Sequence, residues 1–143
     1  MSPYDFKRVL VAVDGSEGSE KALDCAISIC QAVGATLTAL AVEGKLPAYA
    51  GSIGEVDEVK HEKDAYFKGV LERAEAQAEQ RGVQVDTDLV AGHAAEIITH
   101  YAKAHGHDLI VVGHRGHFLG DYLLGSTADR VTHHAHCPVI VVR

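Results

Sequence analysis

The chain has 143 residues, of which 47% are hydrophobic and 23% charged. That length and balance fit one compact domain spanning 1–143, and they exclude disordered, collagen-like and low-complexity polymers. Acidic residues number 20 and basic ones 13, for a net charge of -7, which argues against a nucleic-acid surface because phosphate backbones demand clustered lysine and arginine.

No apolar run approaches the roughly 18 residues of a membrane span. Met1 to Arg8 carries Pro3, Asp5 and Lys7 rather than an apolar leader. The expectation is a cytoplasmic protein with no membrane association. Cys25, Cys30 and Cys137 show no CxxC spacing, and an odd count suits a reducing compartment. The unusual count is 10 histidines.

In chain order, Lys7–Val13 (KRVLVAV) is a short valine-rich run, as in a strand buried on both faces. Asp14-Gly15-Ser16 is turn chemistry, with Ser16 placed to cap a helix. Ala22, Ala26, Ile29, Cys30 and Val33 recur at helical spacing, and Gly34 ends that helix. Thr36–Val42 is a second strand. Gly44–Val56 contains Pro47, Gly51 and Gly54 and reads as a long loop. The longest helix follows from about Asp57 to Gln80, with Phe67, Val70, Leu71, Ala74 and Ala78 as its apolar stripe and Gly82 as its stop. Val83–Ala91 is a third strand. Ala94–His105 is a third helix, with Ile97, Ile98, Tyr101 and Ala102 facing inward. Asp108–Val112 is a fourth strand and Gly113–Gly120 a loop rich in glycine and histidine. Leu124, Ala128, Val131 and Ala135 mark a fourth helix, and Pro138–Val142 is the last strand. Strict alternation of strands and helices predicts an α/β fold, a doubly wound parallel sheet of five strands with helices on both faces.

Ligands in such sheets bind beyond the carboxyl ends of the strands, where strand order reverses. Two loops carry residues suited to chemistry. One is Asp14-Gly15-Ser16. The other runs from Gly113-His114-Arg115-Gly116 to Gly125-Ser126-Thr127. If strands one and four are neighbours, these loops share a crevice. Glycines admit close approach to the backbone, hydroxyls and a helix N-terminus favour an anion, and Arg115 adds positive charge. The pattern fits a phosphate. Asp14 suits ribose or adenine donors, or a metal held by phosphates; it also suits a purely local turn. Gly120 and Gly125-Ser126 have Walker A spacing but lack its lysine, and no GxGxxG follows the first strand.

VLVAVDGSEGSEKAL at 9–23, DLIVVGHRG at 108–116 and LLGSTADRVTHHAHCPVIVV at 123–142 together resemble the universal stress protein family, in order and over essentially the whole chain. The resemblance implies strand order 3-2-1-4-5 and a homodimer joined through the last strand, here 138–142. It is closest to the branch that binds ATP through Gly-x-x-Gly followed by Gly-Ser or Gly-Thr. It implies that Asp14 contacts the adenosine part, the Val42 backbone meets the adenine edge, and Ala12 lines the base pocket. Gly113 would lie near ribose, and Gly116, Gly125, Ser126 and Thr127 around the phosphates. The spacer HFLGDYLL between Gly116 and Gly125 has eight residues, one fewer than in that pattern. The missing residue falls at His117–Gly120 and bears on triphosphate against ADP or AMP.

The expected function is therefore a dimeric stress-response sensor or switch. It would bind an adenine nucleotide, ATP first, with Mg²⁺ as the cation accompanying its phosphates, and pass the signal to a protein partner the sequence does not name. Two alternatives stand beside it: a dimeric interaction module that binds no nucleotide, and a slow nucleotide hydrolase. No catalytic residues are assigned, since no Ser-His-Asp order, paired-carboxylate spacing or HExxH is visible. The histidines read mainly as surface groups: His105 and His107 between helix and strand, and His114 and His117 on the glycine loop, where a protonated imidazole could meet phosphate. His133, His134 and His136 precede Cys137, but neighbours at a helix end diverge, and no metal is assigned. Cys25 and Cys30 read as small core residues.

Overall fold

The computed structural model describes residues 2, 4–44, 53–114 and 125–143, with 53–59 as helix backbone only. The described residues form nine elements in order: β1 (Arg8–Ala12), α1 (Glu17–Val33), β2 (Thr36–Glu43), α2 (Ile53–Gln80), β3 (Val85–Ala91), α3 (Ala94–Ala104), β4 (Leu109–Gly113), α4 (Ser126–His134) and β5 (Val139–Val142). The five strands form one parallel sheet of order β3-β2-β1-β4-β5, as the alternation and the resemblance predict. Among the described residues no helix is long and apolar enough to cross a membrane.

The central strand explains the layering. Val9, Leu10 and Val11 are fully buried, and successive side chains on a strand point to opposite faces. Val9 and Val11 pack with Ala22, Ala26 and Ile27 of α1 and with Val70, Ala74 and Ala78 of α2. Leu10 packs on the other face with Ile98 and Ala102 of α3 and Ala128 and Val131 of α4. Two cores, one on each face, hold the sheet between helix pairs.

Local signals set the ends of α1. Ser16 Oγ accepts the Ser19 N–H at 3.1 Å, and Gly34 closes the helix in the left-handed region at φ 75°. Cys30 is buried, and burial pushes its thiol up to about 11, which fits a packing role. Arg81, after α2, reaches Asp24, Ser28 and Gln31 of α1 and so ties the two helices together.

Several expectations are corrected. The loop read through Val56 gives way to helix at Ile53; the Glu- and Lys-rich run after Gly54 has good helix propensity and outweighs that glycine. The third strand begins at Val85 rather than Val83, because the Val83 N–H is taken by the Ala78 carbonyl at 3.0 Å. The fourth begins at Leu109, because the Asp108 carboxylate accepts the Lys7 and Arg8 N–H groups at 2.9 and 3.1 Å. Asp108 thereby fastens the start of β1 beside β4. The last strand begins after Pro138, which has no N–H to give.

His107 is a larger correction. It is 2% exposed, not a surface residue. Its Nε2 lies 3.0 Å from Thr38 Oγ on β2, and its ring stacks on Tyr101. Its neighbour His105 is exposed, as expected.

Candidate functional site

β1 and β4 pair directly, from Val9–Leu109 to Val11–Val111. Their carboxyl ends open side by side at the point where the chain has built outward first on one flank and then on the other. That is where this class of sheet leaves a crevice. A cleft of about 230 Å³ lies there.

Ala12, Asp14, Val42, Gly113, Gly125, Ser126 and Thr127 all line it. These are seven of the nine residues expected from the sequence. Arg115 and Gly116 lie outside the described residues, as do His117–Gly120 and most of the Gly44–Val56 loop. The sequence reading missed the apolar floor. Leu40, Ile98 and Val112 contribute to it. Leu40 carried a signal, since it shares a strand face with Val42; Ile98 read only as core.

The loop after β1 is tightly organised around Asp14. Its carboxylate Oδ1 accepts the Ser16 N–H at 2.9 Å, and its own N–H donates to Ser19 Oγ at 3.2 Å. Asp14 therefore orders the turn, as its local reading expected, and also lines the cleft. Its carbonyl accepts the Tyr66 hydroxyl of α2 at 2.6 Å. Gly15 adopts φ 82° beneath the Tyr66 ring, a conformation and a contact that suit only glycine.

Gly113 has a second reason to be glycine. A Cβ there would stand 2.7 Å from the Gly18 carbonyl oxygen. The bare backbone of β4 lets the first turn of α1 close onto it, while the same residue borders the cleft.

Two helix N-termini meet the cleft. α4 starts from Gly125, which offers no side-chain cap, and α3 starts from His93 without a side-chain cap bond. Ser126 and Ala94, their first residues, both line the cavity. Uncapped first-turn N–H groups and the positive ends of two helix dipoles favour an anion at this end. Only the α4 end was visible in the sequence.

His114 was read as an exposed loop residue and is instead 7% exposed. Its N–H donates to the Val142 carbonyl at 2.7 Å, and its carbonyl accepts the Gly125 N–H at 2.8 Å. The residue is therefore clamped between the end of β5 and the start of α4. In the other histidine run, His133 Nδ1 lies 2.7 Å from the Asp129 carbonyl oxygen. Among the described residues no three His, Cys, Asp or Glu side chains converge on one point.

Comparison with known proteins gives a consistent answer. The chain is 35% identical over 147 aligned residues to the universal stress protein YxiE of Bacillus subtilis, covering 96% of this chain and 99% of that one. It superposes on the universal stress protein UspA from Lactobacillus plantarum with TM-score 0.87 at 30% identity, covering 96% and 98% of the two chains. A universal stress protein solved in complex with cAMP superposes with TM-score 0.76 at 26% identity, covering 97% and 98%. The profile of the universal stress protein family matches residues 5–143, and the chain belongs to that family.

Proposed function

We propose that this protein binds an adenine nucleotide in the cleft between the loops after β1 and β4. One observation carries the reading. Seven residues singled out for a nucleotide, drawn from four separate stretches of sequence, line one cavity. The apolar floor of Leu40, Ile98 and Val112 suits a flat base, and Ala12 leaves room above it. Asp14 takes the adenosine part, and the Val42 backbone the adenine edge. Gly113 lies toward ribose, and Gly125, Ser126 and Thr127 toward the phosphates, where the α4 N-terminus offsets their charge. Arg115 and Gly116 complete the phosphate end on sequence grounds. ATP with Mg²⁺ is the first ligand to try, and a family member solved with cAMP supports the adenine class.

The protein acts, in this reading, as a dimeric sensor. Ligand binding favours one arrangement of the loops around the cleft, and a partner protein reads that arrangement. The two forms must differ in partner affinity for the switch to work. The dimer uses the outer edge of β5.

The test is calorimetric titration of ligand-free protein with ATP·Mg²⁺ and with adenosine, beside Ser126→Glu. A carboxylate at the first position of α4 is compatible with the helix but repels phosphate. ATP affinity is expected to fall by more than about tenfold, a difference of ~1.4 kcal/mol, while adenosine binding changes little. Equal loss for both ligands would refute the phosphate placement. The short Gly116–Gly125 spacer favours a second reading, an interaction module without nucleotide. Absence of binding by ATP, ADP and AMP would select it.

A further inference from the structure

Among the described residues, the long helix α2 contributes nothing to the lining of the cleft, yet it touches Asp14, the one acidic residue they place there. Tyr66 Oη donates to the Asp14 carbonyl at 2.6 Å. Its ring stands against Phe67, with centroids 5.2 Å apart, and covers Gly15. The Asp14 N–H donates to Ser19 Oγ in the first turn of α1, and its carboxylate accepts the Ser16 N–H. Among the described residues, Tyr66 makes the one hydrogen bond to Asp14 from outside the stretch 14–19. Gly15 alone would let this loop pivot, because glycine tolerates both signs of φ.

We propose that Tyr66 is a positioning residue for the binding cleft: its hydroxyl fixes the Asp14 peptide, and so aims the Asp14 carboxylate at the adenosine part of the ligand. The inference rests on the nucleotide reading above. Tyr66 never touches the ligand. It acts by removing the pivot at Asp14–Gly15, so that the carboxylate is ordered before binding rather than at its expense. It lies on α2, far from the glycine pattern in sequence.

The experiment uses Tyr66→Phe, which keeps the ring and removes only the donor. Wild type, Tyr66→Phe, Asp14→Ala and the double variant are titrated with ATP·Mg²⁺. Amide hydrogen exchange of ligand-free wild type and Tyr66→Phe is followed at Asp14 and Ser16. Tyr66→Phe is expected to weaken binding about five- to tenfold, the scale of one hydrogen bond. On the Asp14→Ala background it is expected to cost nothing further. Exchange at the two amides should rise by about fivefold. Unchanged affinity, or the same loss with and without Asp14, would overturn the proposal. If wild type binds no nucleotide, the nucleotide reading fails on its own. The exchange arm then still decides: faster exchange upholds Tyr66 as the residue that fixes Asp14, and unaltered exchange overturns it.

Discussion

Acid should unfold this protein through His107, and the effect can be sized. Burial pulls the imidazole down from 6.5 to about 4, with the Arg8 and His105 charges adding to the push and Asp108 opposing it. The residue is 2% exposed, and among the described residues its ring accepts or donates one bond, at Nε2 with Thr38, while Nδ1 has no side-chain or backbone partner within hydrogen-bonding geometry. A charged ring there would be desolvated. The unfolded chain therefore binds a proton that the folded one refuses between about pH 6.5 and pH 4. Stability from this group is fully present above pH 6.5 and is lost as pH falls toward 4. From pH 7.5 to pH 5 the loss is about 2 kcal/mol, at ~1.4 kcal/mol per pH unit while the two states differ by one proton. The assay is urea unfolding at both pH values for wild type and His107→Leu. The variant removes the titration and leaves Thr38 without its imidazole partner. It should be less stable than wild type at pH 7.5 by about 1–3 kcal/mol, and should lose about 2 kcal/mol less on acidification. Equal pH dependence in the two proteins would refute the argument, whatever their absolute stabilities.

Three other outcomes follow from the geometry. Gly113→Ala sets a Cβ 2.7 Å from the Gly18 carbonyl, so thermal unfolding should show a loss of about 1–3 kcal/mol; this variant reports on α1 packing rather than on ligand contact. Gly15→Ala puts a side chain at φ 82° under Tyr66, and the same assay should show a loss of at least about 1 kcal/mol. At the sheet edge, Ile110 N–H bonds to Pro138 and His114 N–H to Val142. The peptides at Val139 and Val141 therefore face outward. Val141→Pro removes an outward N–H without breaking the ladder to β4, and sedimentation velocity should show dimer giving way to monomer. A wild type that already sediments as monomer would remove the dimer from the account.

The fold was legible because its signals are local. The apolar runs at Val9, Ile110 and Val139, separated by helical stripes, dictate a parallel sheet, and Ser16 and Gly34 announce the ends of α1. The cleft was legible because glycines and hydroxyls cluster after β1 and β4, at the carboxyl ends of two adjacent strands. What the sequence hides depends on contacts between distant segments. His107 looks polar and exposed until Thr38, 69 residues away, supplies its partner. His114 lies next to flexible-looking glycines, yet β5 and α4 hold its backbone. Tyr66 reads as one more residue on a helix, because its contact with Asp14 spans 52 positions. Gly113 looked like room for a ligand, and half of its reason is room for α1. Leu40 and Ile98 line the cleft, but apolar periodicity cannot separate a residue that floors a cavity from one that fills a core.

The most direct test of the central claim is to titrate isotopically labelled, ligand-free protein with ATP·Mg²⁺ and map the amide resonances that move. Saturable shifts are expected at Ala12, Val42, Gly113, Gly125, Ser126 and Thr127, with the β3 edge and the far end of α2 unmoved. Shifts confined to other surfaces, or none at millimolar ATP, would contradict that claim.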